Sequence, residues 1–347
     1  MTDETRVHHY PAEMLEHHVR TLLVEAGARP SDAAETARAL LHASRIGVDS
    51  HGVRLAGYYA DLLRSGGLNP TPAPLYTRTA IATGRLDADS GLAHPACYRA
   101  MSEAMLLARE AGIGAVGVHR STHFGAAGAY AVEAAREGMI GLVVSNSDSA
   151  VSLFSGTAPF HGTNPIAAAA PVRDADPWLL DMATSSIPFN RVKLYQALGI
   201  GLPAGVALDE HGAPTLDPQR ASFLQPLGGE AFGFKGAALA GLVTLLSAVM
   251  TGADTDPVMV GTDAGQTADN RQNVGHFVIA IDPERFVGRD SYDTAMARYL
   301  SLLRNGPSLD SAHPVMAPGD REWQEARHRM ETGIPVDPET RTKLDLP

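Results

Sequence analysis

The stretch that decides the fold is residues 94–118, HPACYRAMSEAMLLAREAGIGAVGV, in which Gly112–Gly117 matches the pattern G-x-G-x-x-G. In a Rossmann domain this pattern follows a strand and opens a helix, so that the helix N-terminus faces a pyrophosphate. Here the order is reversed, because the spacing predicts a helix over His94–Ala111 and a strand over Ala115–Val118. We therefore interpret these glycines as a helix end followed by a strand start, and we exclude a standard Rossmann domain.

On either side of this stretch, the periodicity of apolar residues predicts an alternation of helices and strands. Predicted helices cover Pro11–Ala26, Ser31–Ser44, His51–Ser65, Ala129–Glu137, Lys235–Thr251 (a buried helix) and Ser291–Arg304. Predicted strands cover Ala80–Leu86, Ile140–Ser145, Ile166–Pro171, Trp178–Met182 and Phe277–Ile281; Leu68–Tyr76 is a proline-rich extended crossing, and a polar tail starts at Pro307. We expect an α+β fold, in which a helical layer from both chain ends (1–75 and 285–347) surrounds a central mixed domain (76–284).

The composition bounds the function classes. The 347 residues are 44% hydrophobic and 19% charged, which is typical of a globular protein, and the net charge of −11 disfavours binding to nucleic acid or anionic membranes. The single cysteine, Cys97, excludes an intrachain disulfide, and we expect it to be buried. The N-terminus lacks a signal-peptide pattern, and Gly236–Gly252 is short for a membrane span, so we expect a cytoplasmic protein. We also expect no metal site.

The segment Asp49–Arg54, DSHGVR, is the first candidate for chemistry. His51 titrates near neutrality and can donate a proton to an alkoxide that forms on a ketone, and Ser50 can orient the imidazole. Arg54 can hold a carboxylate by two parallel hydrogen bonds. The alternative is a helix cap in which Asp49 or Ser50 caps and the other side chains are solvated.

Three further segments combine small, polar or charged residues. His123, in Ser121–Gly125, follows a predicted strand and is well placed for a ligand site, although a loop hydrogen bond would also explain it. Gly156–Pro165 and Asp181–Ser186 carry short polar side chains beside an accessible backbone, as an anion site or as ordinary turns. Lys235 opens the predicted helix Lys235–Thr251, either near a cofactor phosphate or as its solvated end.

Seven stretches, in order along the chain, resemble the malate/L-lactate/L-sulfolactate dehydrogenase family, which includes ureidoglycolate dehydrogenase and diketogulonate reductase. They are Asp49–Arg54, Ser121–Ala131, Gly162–Ala167, Asp181–Ser186, Leu202–Pro218, Pro226–Gly229 and Asn273–Pro283. The resemblance implies a homodimer with a non-Rossmann, sulfolactate-dehydrogenase-like fold that binds NAD or NADP. It also implies interconversion of a small 2-oxo acid and its 2-hydroxy acid.

The resemblance assigns roles to individual residues. His51, with Ser50, would be the proton donor to the carbonyl oxygen, Arg54 would bind the substrate carboxylate, and His123 would line the substrate and nicotinamide site. The cofactor would contact Ser145, Asp181, Ala183, Thr184, Lys235, Gly236, Gly319 and Asp320.

One departure from the family concerns substrate choice. Many relatives have Gly-Lys where this chain has Asn190-Arg191, and those that act on cyclic imines tend to have Gly-Asp. Arg191 keeps a positive charge at this position, which favours a 2-oxo acid as substrate. The alternatives are a cyclic-imine (ketimine) reductase on the same fold and a non-catalytic homologue that retains the pocket. The sequence chooses neither the substrate nor between NADH and NADPH.

Overall fold

The computed structural model describes residues 7–261, 265–310 and 312–347, and these residues form thirteen strands and eleven α-helices. The strands are β1 His8–Tyr10, β2 Leu75–Arg78, β3 Thr83–Asp87, β4 Ile113–Ser121, β5 Ile140–Ser145, β6 Val151–Ser152, β7 Pro159–His161, β8 Ile166–Ala170, β9 Trp178–Met182, β10 Ala207–Leu208, β11 Phe223–Leu224, β12 Val274–Ile281 and β13 Ile334–Val336. The helices are α1 Ala12–Glu25, α2 Pro30–Arg45, α3 Ala56–Ser65, α4 Ala93–Ala111, α5 Gly128–Arg136, α6 Phe189–Leu198, α7 Gly229–Thr244, α8 Glu284–Val287, α9 Arg289–Arg304, α10 Asp320–Thr332 and α11 Pro338–Lys343.

A seven-stranded mixed sheet, in the order β2-β3-β4-β12-β5-β8-β9, organises the centre of the molecule. Only β3 and β4 pair in parallel; the other neighbours are antiparallel. Because β12 runs antiparallel to both β4 and β5, the carboxyl ends of β4 and β5 lie at the same edge of the sheet. β8 begins and β9 ends at this edge as well, so the polar residues at four strand ends are brought together.

One face of the sheet is covered by α4 and α5, whose small residues allow close packing. The main core joins alanines of these helices to aliphatic and aromatic side chains such as Met101, Val116 and Tyr130. Cys97 is buried in this core, as expected, and burial raises the pKa of its thiol.

The glycine pattern lies between α4 and β4, as the sequence predicts. Gly112 ends α4 with φ of +83°, a left-handed conformation that favours glycine, and the strand follows at once. No helix N-terminus follows these glycines, so the exclusion of a Rossmann motif is confirmed.

Both chain ends form one helical layer. β1 pairs with β13, and a second core joins residues of α1, α2 and α3 to Ile334, Val336, Leu344 and Leu346. The α+β fold class with this layer is therefore confirmed, while the domain boundaries stay a prediction. The predicted polar tail was only partly right, because it contains α10, β13 and α11.

Two predicted helices differ from the structure. The helix expected over His51–Ser65 begins at Ala56, and the residues before it form two short 3₁₀ turns, Asp49–His51 and Val53–Leu55. Gly52 separates these turns with extended backbone, and a Cβ there would overlap the Ser44 hydroxyl. This close approach fixes how the DSHGVR segment sits against α2.

The predicted helix over Lys235–Thr251 is present, but the prediction that it is buried was right for only one of its faces. The helix begins at Gly229 as α7 and continues through a π turn to Val249; by length and composition alone it would also fit a membrane span, as core helices of globular proteins do. It packs on β12 and β5 through one face only. Its other face is apolar yet exposed, at Phe232, Phe234, Leu239, Leu242, Leu245 and Val249. The sequence lacked the periodic contrast that would distinguish the two faces, since both are apolar.

Candidate active site

A cavity of about 670 Å³ opens at the sheet edge where β4, β5 and β9 end and β8 and β12 begin. Its lining includes residues of the 3₁₀ turn Asp49–His51, of the loop before α5, and of the loops after β5 and β7. The predicted residues that line the cavity are Ser50, His51, His123, Ser145, Asp181 and Ala183. The structure therefore brings together six residues that the sequence singled out separately.

His51 and Ser50 form a hydrogen-bonded pair on the cavity wall. The Ser50 hydroxyl lies 2.9 Å from Nδ1 of His51, which fixes the ring orientation and leaves Nε2 without a hydrogen-bond partner among the described residues. Burial lowers the pKa of His51 below its ordinary value. The ring is thus positioned, lines the cavity, and has a pKa that burial holds below its ordinary value.

His123 lies beside His51, with the two ring centroids 5.8 Å apart. Its Nδ1 lies 2.8 Å from the hydroxyl of buried Tyr59 and 3.4 Å from the backbone N of Gly125. An amide N–H can only donate, so Nδ1 acts as the acceptor and the ring carries its proton on Nε2. Burial, followed by the nearby charge of His51, lowers the pKa of His123 to about 3, so this ring is neutral at physiological pH.

A third histidine, His276, supports this wall from β12. Its Nδ1 lies 2.8 Å from the hydroxyl of Ser145, and its Nε2 lies 2.9 Å from the hydroxyl of Ser121. Its ring stacks on Phe124 at 4.5 Å. His276 therefore connects β4, β12 and β5 directly beneath the segment that carries His123, and the hydroxyl of Ser145 is occupied within the protein.

Asp181 lies at the N-terminus of α5. Its Oδ2 accepts a hydrogen bond of 2.7 Å from the backbone N of Gly128, and a Cβ at Gly128 would approach the same oxygen at 2.9 Å. Burial raises the pKa of Asp181 to about 6, although the Gly128 hydrogen bond opposes this shift. The carboxyl group therefore caps the helix within the cavity and titrates close to neutral pH.

Several predicted site residues do not line the cavity. Thr184 is buried, and its backbone N and hydroxyl both donate to the carbonyl of Thr163. Asp320 pairs with Arg304, and the φ of +94° at Gly319 begins α10 against β9. Lys235 is exposed on α7 beside two phenylalanine rings, and Gly236 packs against Leu227.

Neither predicted substrate-binding arginine lines the cavity. Arg54 is exposed, and its positive charge acts on the carboxyl group of Asp337. Burial alone would raise the pKa of Asp337, but hydrogen bonds from Thr340 and the charge of Arg54 lower it. Arg191 is exposed on α6, and Lys193, one half-turn further, lines the cavity instead. Among the described residues that line the cavity, Lys193 is the one lysine or arginine.

The cavity suits a nicotinamide dinucleotide in size and chemistry. Its volume falls in the usual range for ligand pockets, and its walls are mostly apolar with a few polar groups. Gln272 lines the cavity, is buried, and its Oε1 has no hydrogen-bond partner among the described residues. A buried acceptor of this kind suits a ligand amide or hydroxyl donor. Sequence reasoning missed Gln272 and Tyr59, because neither belongs to a recognisable motif.

Comparison with known proteins gives an independent result. The model of the family described as malate/L-lactate dehydrogenase matches residues 10–345. The chain is 33% identical to a malate dehydrogenase of Pyrococcus abyssi over 332 residues, covering 94% of this chain and 90% of the relative. It is 39% identical to a (2R)-3-sulfolactate dehydrogenase (NADP(+)) of Chromohalobacter salexigens over 259 residues, covering 74% and 75%.

A third relative carries a different name. The chain is 32% identical to a Delta(1)-pyrroline-2-carboxylate/Delta(1)-piperideine-2-carboxylate reductase of Pseudomonas putida over 330 residues, covering 92% of both chains. Among solved structures, the fold matches the sulfolactate dehydrogenase of Methanocaldococcus jannaschii with a TM-score of 0.89 and 30% identity, covering 97% of this chain and 95% of the other.

Proposed function

Because this chain belongs to the malate/L-lactate dehydrogenase family, we propose that it is an NAD(P)-dependent oxidoreductase that interconverts a small 2-oxo acid and its 2-hydroxy acid. The observation that carries this proposal is the pair of histidines, His51 and His123, on one wall of a cavity of suitable size. When bound, the nicotinamide supplies or accepts the hydride, and the protein supplies orientation and a proton.

His51 is the acid and base of this site. In reduction, its protonated ring donates a proton from Nε2 to the carbonyl oxygen; in oxidation, the neutral ring accepts the hydroxyl proton at the same atom. Ser50 holds Nδ1 and so keeps Nε2 directed to the substrate side. Because burial lowers the pKa of His51, the neutral form predominates above neutral pH, which favours the oxidation direction there.

His123 has a different role from His51. Its neutral ring, with the proton on Nε2, donates a hydrogen bond but does not exchange a proton at physiological pH. A fixed donor beside the acid orients the substrate carbonyl or carboxylate and stabilises negative charge that develops on oxygen. Tyr59 acts through His123, since its hydroxyl holds Nδ1 as the acceptor.

A cation is needed to hold the substrate carboxylate. Lys193 lines the cavity and is our proposal for this contact. Arg54, the residue expected from the sequence, follows His51 by three positions but is exposed beside Asp337, so it would have to turn toward the cavity. Arg191 would likewise have to turn inward from the outer side of α6.

A substrate screen tests the proposed activity. Purified protein would be mixed with a panel of 2-oxo acids and cyclic imines, with NADH and NADPH in separate assays, and reduced-nicotinamide absorbance would be followed. We expect turnover of at least one 2-oxo acid. Turnover of a cyclic imine alone would replace the 2-oxo acid assignment, and binding of NAD(P)H without turnover of any compound would support a non-catalytic homologue.

The cyclic-imine reductase is the second candidate function, because one relative that covers 92% of the chain is named for it. Protonation near a carbonyl oxygen and near an imine nitrogen require similar geometry, so the histidine pair is compatible with both. Lys193 favours the 2-oxo acid, since a lysine ammonium repels a cationic iminium while it attracts a carboxylate.

We further propose that the protein is a homodimer that acts in the cytoplasm. The exposed apolar face of α7 supports the dimer, because exposed patches of this kind usually mark interfaces. A cross-strand row of half-buried aliphatic residues, Ala115, Ile279, Leu142 and Ala168, extends this surface over the sheet. The single cysteine is compatible with a reducing compartment.

Light scattering after size exclusion tests the dimer. We expect the mass of two chains for the wild type and of one chain for Leu242→Glu. Leu106→Glu, on the exposed side of α4, is the matched control and should stay dimeric, since both leucines are about half exposed. A monomeric wild type would contradict the proposal.

A further inference from the structure

A buried carboxylate lies behind the part of the cavity wall that the loops after β5 and β7 form. Asp256 begins a 3₁₀ turn between α7 and β12, and it is only 1% exposed. Five donors surround its two oxygens: Asn146 Nδ2 at 2.9 Å, Asn164 Nδ2 at 2.8 Å, Thr244 Oγ1 at 2.9 Å, His161 Nδ1 at 3.1 Å and the backbone N of Gly162 at 3.1 Å. A buried carboxylate is tolerated only when it is bonded this completely.

The donors come from separate segments of the chain. Asn146 belongs to the loop after β5, Asn164 to the loop after β7, and Thr244 to the end of α7. Asn146 also accepts from the backbone N of Gly275, and Asn164 accepts from the backbone N of Ser147. Through these two side chains the carboxylate connects both loops to each other, to β12 and to α7.

The same loops form the wall of the cavity. Asn146 and Ser147, Thr163 and Pro165, and Met259 just beyond Asp256 all line it. Asn164 itself has a φ of +38°, a left-handed conformation that asparagine adopts more readily than most other residues with a side chain. The hydrogen bonds of Asn164 to Asp256 and Ser147 hold it in this conformation.

The charge on Asp256 persists in the folded protein. Burial alone would raise the pKa of this carboxyl group, but the hydrogen bonds from His161, Asn146, Asn164 and Gly162 lower it below its ordinary value. The anionic form is therefore the one that organises the surrounding donors, since a protonated carboxyl group would accept fewer hydrogen bonds.

We propose that Asp256 is a positioning residue for the dinucleotide: it does not touch the cofactor, but it holds the loops after β5 and β7 in the arrangement that binds it. This inference rests on the proposed NAD(P) site and assigns a function to a residue outside every recognised motif. None of the described hydrogen bonds of Asp256 involves His51 or His123, so Asp256 acts on cofactor affinity rather than on proton transfer.

The first test replaces the anion by an amide of the same shape. In Asp256→Asn, the carboxylate oxygen that accepts from the side-chain amide of Asn146 is replaced by an NH₂ group. Two hydrogen-bond donors then face each other, so the loop after β5 loosens. We expect the dissociation constant for NADH or NADPH, measured by fluorescence without substrate, to rise about 3- to 30-fold, the usual range for mutations that act through a network. We expect kcat at saturating cofactor to change less than about 3-fold.

Hydrogen exchange on the cofactor-free protein supplies a second readout that does not depend on activity. The amides of Gly162 and Ser147 donate within this network, and they should lose protection in Asp256→Asn while amides in α4 keep theirs. Asp254→Asn is the matched control, because this neighbouring carboxylate accepts from Asn273 and not from the two loops. It should leave affinity and protection unchanged.

Thr244→Val tests the positioning role of Asp256 if Asp256→Asn does not fold. It removes one donor to Asp256 and one acceptor of Asn164 at nearly constant volume. The same two changes should appear at smaller size, with the melting temperature near that of the wild type. Unchanged affinity and unchanged protection in a folded variant would overturn the positioning role. A wild type that binds neither NADH nor NADPH would instead overturn the proposed function, so the two failures are distinguishable.

Discussion

The two polar walls of the cavity depend on different kinds of buried polar group. In the histidine wall, which consists of His51 and His123 with His276 and Tyr59 behind them, burial lowers the pKa of each histidine, and each bonded ring nitrogen has only one or two partners. The carboxylate wall, Asn146, Asn164 and Asp256, keeps a buried charge, and that charge needs five donors. The difference shows how one pocket combines a histidine that can change its protonation state, His51, with a buried carboxylate that stays charged, Asp256.

The largest effect is expected at His51. Replacing it by Asn should lower kcat by about 10²–10⁴-fold, because a positioned acid or base is removed, while cofactor affinity stays near that of the wild type. The wild type should also lose reduction rate as pH rises through the His51 pKa, which lies below 6.5 in the free protein, and should gain oxidation rate over the same range. Steady-state kinetics in both directions check this; near-normal turnover in His51→Asn would remove it as the proton donor.

The pH dependence of the free energy of unfolding should also distinguish the two walls. His123 and His276 have pKa values of about 3 in the fold against 6.5 in an open chain, so the unfolded state takes up protons first and stability falls as pH drops below about 6.5. Each such histidine contributes a slope of about 1.4 kcal/mol per pH unit within that window. Asp256, with a lowered pKa, loses its contribution only below its open-chain value of 3.8.

Urea unfolding at pH 7.5, 6 and 5 measures this difference. Asp181 acts in the opposite sense, because its pKa is raised to about 6, so it removes stability as pH rises from 3.8 through 6 and offsets one histidine there. His276→Gln should flatten the slope between pH 6.5 and 5, whereas Thr244→Val should not. An unfolding free energy that is independent of pH over this range would show that these histidines are not buried and neutral.

Lys193 should give a smaller and selective effect. Because this lysine is exposed at the cavity edge, Lys193→Ala should lower kcat/KM for a 2-oxo acid by about 5-fold, as expected for a solvent-screened ion pair. The matching ketone without a carboxylate should be unaffected. Lys235→Ala is the matched control, since Lys235 is exposed on α7 and does not line the cavity; a loss of cofactor affinity there would instead favour the phosphate contact expected from the sequence.

The smallest effect is expected at Arg54. Since Arg54 is exposed outside the cavity, Arg54→Lys should leave kcat/KM within about 3-fold of the wild type. A loss of about 2–4 kcal/mol, confined to substrates that carry a carboxylate, would show that this arginine turns inward and holds the carboxylate by a bidentate pair. The same substrate pair used for Lys193 makes the comparison.

How much of this the sequence predicted depends on the range of the interactions. Strands Ile140–Ser145 and Trp178–Met182 were predicted at their observed bounds, because short apolar runs between turn residues report local structure. The strands of the small sheet, β6, β7, β10 and β11, have two or three residues each and carry no periodicity. Helix α6 has a weak pattern and was also missed.

The site shows the same division. His51, Ser50 and His123 were found because their motifs are local, and Asp181 because it belongs to a motif of the family. Asp256 was not found, because its significance arises from partners 12 to 110 residues away along the chain. From the sequence, Tyr59 is interpreted as a core aromatic residue in a helix, and only the fold shows that its hydroxyl is hydrogen-bonded to His123.

On this view, the histidine wall performs the chemistry, and the carboxylate wall holds the loops that bind the cofactor. The decisive measurement of this division is that of kcat and the NAD(P)H dissociation constant in His51→Asn, Asp256→Asn and the double variant. We expect His51→Asn to lower kcat alone, Asp256→Asn to raise the dissociation constant alone, and the double variant to show both changes additively, since the described residues give the two side chains no shared hydrogen-bond partner. Variants that each change both quantities, or a double variant no worse than one single variant, would show that the two walls do not act separately.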